Sequence, residues 1–145
     1  ATFPDACIVQ MHRDPCELIP SVASLVYTTR QMVEPDIDKH RIGRRELAQW
    51  SGLLENLTAF RRSQLALPVY DVSMQQLQQE PATVIKNIYR HFAIDDERPN
   101  LENDIAKMLV DFKQDQQHSI SGHRYTAEEF GLTNEEIEQA FAQSQ

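Results

Sequence analysis

The sequence predicts an α/β fold, a short parallel sheet flanked by helices, with most of the chain helical. Three observations carry this reading. Two short apolar runs, 6–11 and 67–72, have the length and composition of strands. The stretch between them is long, and its apolar residues recur at helical spacing. Two strands joined through helices form a parallel pair with a right-handed crossover. Downstream of residue 80 the helical pattern dominates.

Composition bounds the rest. A chain of 145 residues suits one domain, 1–145, with a core of its own. With 41% hydrophobic and 25% charged residues, it belongs to the globular class. A net charge of −8 argues against nucleic acid or an anionic membrane as partner. No apolar run approaches the roughly 18 residues of a membrane span, and no signal segment opens the chain. Cys7 and Cys16 fall on a strand and a helix start, so a reducing compartment, the cytoplasm, is expected and a disulfide is not. No Cys–His spacing suggests a metal. None of the four glycines lies in a phosphate-cradling G-x-x-x-x-G-K-[ST] loop. The chain opens on Ala1 and enters a strand almost at once, so it reads as the C-terminal part of a longer protein.

In order along the chain, 6–11 is apolar almost throughout, as expected for a strand covered on both faces. It ends at Arg13 and turns at once into a helix over 14–33. Asp14 serves as N-cap, Pro15 fits the first helical position, and Glu17 completes a capping box. Asp14, Glu17, Ser21, Ser24 and Thr28 form a polar stripe, while Leu18, Val22, Leu25 and Val26 form the packing side. Pro20 should kink this helix or loosen its first turns. A guanidinium at Arg13 and a hydroxyl two turns up at Ser21 suit a shared phosphate. The same spacing also suits a solvent-facing stripe with Arg13 in an ordinary salt bridge.

The segment 39–45 is the most basic of the chain, either a contact for an anion or a solvated helix entry. A long helix over 46–66 carries Leu47, Trp50, Leu53, Leu54, Leu57 and Phe60 at helical spacing, with Trp50 read as core rather than as a stacking platform. Strand 67–72 follows, then an amphipathic helix over 81–92. His91 reads as a boundary residue. Asn100 caps a helix bearing Ile105, Met108, Leu109 and Phe112. Near the end, Gly122, His123 and Arg124 read as a loop with two potential cations, in which Gly122 lets backbone amides approach an anion. The two cations equally suit anchoring of the tail to the acidic body. Thr126 and Glu129 read as a capping box with Gly131 as stop, and Thr133 caps a last helix packing Ile137, Ala140 and Phe141. His12-Arg13-Asp14 spells the protein-kinase catalytic triplet, but Ile19 stands where that motif needs asparagine, and no D-F-G occurs.

Three segments carry a family resemblance. FPDACIVQMHRDPCELIPSVASL resembles the 3′-phosphate-binding strand and helix of sulfotransferases that use PAPS (3′-phosphoadenosine-5′-phosphosulfate), and DVSMQQLQQEP resembles the family's D-V-x-Y-E-D-L-x-x-D-P. SGHRYTAEEFGL is similar to the family's C-terminal G-[KR]-H-[KR]-Y-[ST]-x-x-x-F-G-L segment. The middle segment departs from the pattern: Met74 replaces the tyrosine, and Gln75 and Gln76 replace the acids.

The resemblance implies the C-terminal part of a P-loop-type parallel sheet flanked by helices. It implies transfer of a sulfuryl group from PAPS to an acceptor hydroxyl or amine, without a metal. Arg13 and Ser21 take the positions that hold the 3′-phosphate, and Gly122, His123 and Arg124 take those of the loop closing over it. The family's glycine-rich loop and catalytic base precede the strand that opens this chain, so the resemblance implies no catalytic residue here. The expected partners are the acceptor and the remainder of the same chain. The alternatives are an acidic helical interaction domain without a cofactor and a piece of a nucleotide-kinase-like phosphotransferase.

Overall fold

The structure, a computed structural model, describes residues 3, 5–34, 36–63, 67–94, 98–116 and 125–143. Its elements run in the order β1 (Ile8–His12), α1 (Pro15–Gln31), α2 (Lys39–Arg62), β2 (Val69–Ser73), α3 (Met74–Gln79), α4 (Pro81–His91), α5 (Leu101–Gln116), a 3-10 turn (Glu128–Phe130) and α6 (Asn134–Ala142). The chain divides into two compact units, Ala1–Arg13 with Leu67–Gly122 and Asp14–Ala66 with His123–Gln145.

The first unit is built on the expected parallel pair. β1 lies beside β2 with Ile8 opposite Val69 and His12 opposite Ser73. The Ile8 amide donates to the Pro68 carbonyl at 3.2 Å, so Pro68 serves the ladder as an acceptor just ahead of β2. α4 packs on β2, where Val72 is buried, and α5 packs on α4 with its own Ile105 buried. The expectation of a strand covered on both faces does not hold for β1: Val9 is 39% and Met11 45% exposed. An apolar run says what a strand is able to bury, and in this sheet α4 packs on β2 at Val72. In α5 likewise, Met108 and Phe112 are exposed although their spacing matches that of buried Ile105.

The second unit closes around α1. One core cluster joins Ile19 to Ala127, Leu132 and Ile137, with Cys16, Leu47, Trp50 and Phe141 against it. The other joins Ala23, Ile42 and Phe130, with Val26, Tyr27 and Ile37. Trp50 is therefore a core residue, as its spacing suggested. The buried face of α1 runs through Ile19, Pro20, Ala23 and Ser24. This face is rotated from the expected packing side, and Leu25 is left 68% exposed. The helix runs on through Pro20, which is buried and leaves the Cys16 carbonyl without the bond that an amide at position 20 would donate.

α2 starts at Lys39, ahead of the expected start at 46, because Asp38 caps it by accepting the His40 amide at 2.8 Å. Its second half is poorly covered, and Leu53 and Phe60 are exposed. The Thr126–Glu129 capping box does not form. The segment makes one 3-10 turn, and the Thr126 hydroxyl pairs with Glu128 instead. Gly131 ends that turn at φ 66°, where a side chain is disfavoured. Thr133 and Glu136 form a reciprocal capping box at the start of α6, with bonds of 2.7 and 3.2 Å.

Two glycines of α2 separate packing from propensity. A Cβ on Gly43 would lie 2.3 Å from the Phe130 carbonyl oxygen and 2.8 Å from its Cβ, whereas a Cβ on Gly52 meets nothing within 4 Å. Gly43→Ala should therefore lower stability by about 1–3 kcal/mol through forced separation of α2 from the 3-10 turn. Gly52→Ala should raise stability by about 0.8–1 kcal/mol through helix propensity. Chemical denaturation of the two variants beside the parent chain checks both signs.

Candidate functional site

β1 delivers His12 and then Arg13 at its carboxyl end, and both side chains are exposed. The helix start that follows is closely specified. Asp14 accepts the Cys16 amide at 2.8 Å, and Pro15 occupies the first helical position, where its missing N–H is not needed. Burial first, then the Asp14 carboxylate, push the Cys16 thiol above its ordinary range, and its Sγ lies 3.8 Å from the Asn134 carbonyl. Both cysteines are free thiols. The second turn of α1 carries Ser21, half-buried. The expected polar stripe is exposed at Asp14, Glu17 and Thr28 but buried at Ser24, which joins the face packed in the core. Arg13 belongs to the first unit and Ser21 to the second. Gly122, His123 and Arg124 lie outside the described residues.

A pair that sequence reading missed lies beside Arg13. The parallel register sets Gln10 opposite Asp71 and His12 opposite Ser73, so these four residues share one face of the sheet. His12 Nε2 stands 2.6 Å from Asp71 Oδ1, both side chains being roughly half exposed. Alternation places His12 and Asp71 correctly on their own strands, but only the cross-strand register brings them together. Asp71 also borders a cleft of about 360 Å³ among β2, α3 and α4. On the opposite face of β2, the Tyr70 ring lies 4.9 Å from His91, which stands edge-on to Phe92. His91 is thus the boundary residue that its position suggested. Met74, where the resembled pattern has tyrosine, opens α3 and is half-buried. Among the described residues no group of His, Cys, Asp and Glu is arranged to hold a metal, and no helix is long and apolar enough to cross a membrane.

The basic segment 39–45 forms the first two turns of α2. Ile42 and Gly43 point into the core, while Arg41, Arg44 and Arg45 are exposed. Lys39 sits 4.8 Å above the Tyr27 ring and 6.0 Å from that of Phe130, where the cation gains from the ring faces. The Arg41 amide foremost, and the His40 amide, hold the Asp38 carboxyl below its usual range. A carboxyl depressed in the folded state stabilises above its unfolded pKa, and the contribution is lost as pH falls through the folded value. Asp38→Asn keeps a good cap without the charge. Its stability deficit should therefore be present at neutral pH and vanish as pH is stepped down below the ordinary aspartate range, read by thermal melting of both chains along the series.

A sequence model of the sulfotransferase family matches residues 1–98 of the 145, a span that contains β1, Arg13, the capped start of α1, Ser21, β2 and the cleft. No curated protein and no solved structure matches the chain significantly. The match covers well over half of the chain and includes the first two of the three resembling segments, though not the one at 121–132, and the chain belongs to the sulfotransferase family.

Proposed function

We propose that this chain takes PAPS as sulfuryl donor, for transfer to an acceptor hydroxyl or amine, and that Arg13 and Ser21 hold the donor's 3′-phosphate. The observation that carries this reading is the junction of strand and helix. An exposed arginine ends a parallel strand, and a capped helix begins at the next residue and bears a half-buried hydroxyl in its second turn. Ligands of open α/β sheets bind beyond the carboxyl ends of the strands. Arginine matches the fork geometry of a phosphate, and a hydroxyl adds a directed donor. A 3′-phosphate also distinguishes PAPS from nucleotides that lack one. Gly122, His123 and Arg124 are the further residues proposed to complete this hold, and family membership over 1–98 supports the reaction class.

In the transfer, the acceptor oxygen or nitrogen forms a bond to sulfur. The bond from sulfur to the bridging oxygen of the donor's 5′-phosphate breaks, and its electron pair leaves on that phosphate. The acceptor proton passes to a base. The residues of this chain are assigned to donor binding, and none is assigned to the chemical step.

Calorimetric titration with 3′,5′-bisphosphoadenosine tests the reading. Removal of a charge-assisted phosphate contact costs about 1.5–3 kcal/mol, so Arg13→Ala should weaken binding roughly 10- to 150-fold and Ser21→Ala by less. Equal binding of AMP and the bisphosphate would point instead to a nucleotide-kinase-like phosphotransferase. Absence of binding by a well-folded chain would point to an interaction domain.

A further inference from the structure

β1 is held unevenly. Among the described residues it has one strand neighbour, β2, along one edge. Packing does little for its carboxyl-terminal half, where Met11 is 45% exposed. The last rung of the ladder sets His12 opposite Ser73. A strand end with one neighbour and a thin cover opens more readily than the middle of a sheet. Arg13 is the next residue, so any opening of this rung moves the base of its side chain.

Sheet geometry supplies a tie at that rung. His12 and Asp71 project from the same face, on diagonal positions of neighbouring strands, a separation that long side chains can bridge. The imidazole bridges it: His12 Nε2 donates to Asp71 Oδ1 at 2.6 Å. A carboxylate only accepts, so this contact places the ring proton on Nε2. The bond joins the last residue of β1 to the middle of β2, and both partners lie in the first unit with Arg13. On the other side of Arg13 the backbone is also committed. Asp14 caps α1 by accepting the Cys16 amide, and Pro15 fixes its own φ and narrows the choices of Asp14. Arg13 is the one residue between the tied strand end and the cap.

Charge and geometry at Asp71 act with opposite signs on an anion held by Arg13. A carboxylate close to a phosphate weakens its binding by repulsion. A carboxylate that holds the strand end strengthens it, because an arginine already aimed loses less freedom on meeting its ligand. Asp71 is engaged by the imidazole and roughly half exposed, where solvent and salt screen its charge, so geometry prevails.

We infer that His12 and Asp71 are positioning residues for Arg13: their bond holds the end of β1 so that the guanidinium is aimed before a phosphate arrives. This rests on the reading of Arg13 as the hold for a 3′-phosphate. Calorimetric titration of the full chain with 3′,5′-bisphosphoadenosine and with AMP tests it through the ratio of the two affinities, since a general loss of structure lowers both.

The parent chain should prefer the bisphosphate. His12→Ala and Asp71→Ala should each cut that preference about two- to five-fold, the scale of a partly exposed pair. The double variant should lose no more than either single one, because both remove the same bond. His12→Gln, whose amide can donate to Asp71, and Asp71→Asn, whose amide oxygen can accept from His12, should each keep most of the preference. A preference unchanged by either alanine substitution, a preference raised by Asp71→Ala, or losses that add in the double variant would overturn the inference and leave the nucleotide reading standing. Loss of the preference in both conservative variants would do the same. A parent chain that binds the two nucleotides equally would overturn the nucleotide reading, and this inference with it.

Discussion

Parallel pairing of β1 with β2 is the constraint from which the rest of the chain follows. Two strands that run the same way cannot be joined by a tight turn, so the chain must leave the sheet at His12 and return to enter it again at Val69. α1 and α2 make that return. They are amphipathic and need a core of their own, which they find with the 3-10 turn and α6 around Ile19, Phe130 and Ile137. The strand's exit is therefore also a helix's entry, and the arginine at that exit stands directly before the N-cap of α1. Asp14 and Pro15 make the change of backbone geometry abrupt.

The local grammar of the fold was legible in the residues. Caps located the starts of α1 and α6, because Asp14 and Thr133 each accept from an orphan amide of the first turn, and Pro15 fills a position whose N–H is not needed. The start of α2 was hidden, since a run rich in Lys and Arg resembles a solvated loop until Asp38 is recognised as its cap. Burial was legible only in part. Ile19 and Leu25 are both large aliphatic residues of α1, yet one is fully buried and the other 68% exposed. Periodicity marks an apolar face without saying how much of it a neighbour covers. Among the candidate site residues, Arg13 and Ser21 stood out by type and spacing, whereas the bond between His12 and Asp71 depends on strand register, a tertiary property.

The first unit separates two kinds of polar chemistry. At the end of β1 stands an exposed guanidinium, that of Arg13. Among β2, α3 and α4, a cleft is bordered by Gln76, Gln79, Glu80, Thr83 and Asn87, with no lysine or arginine among its described lining residues. The overall charge of −8 does not conflict with an anion site, since screening confines the influence of exposed charges to about 10 Å.

The approach of the Phe130 backbone to Gly43 has a consequence for biogenesis. The elements that seal the core of α1 and α2 come from 127–141, distant in sequence from the helices they cover. Contacts of such long separation form late, because the entropy of closing the loop is spent before any contact forms in return. During synthesis α1 and α2 emerge with Ile19, Ala23 and Ile42 uncovered, and they stay so until nearly the last residues of this stretch have left the ribosome. That interval exposes the nascent helices to chaperones and to one another, and it makes the tail a requirement for folding as well as a part of the finished core.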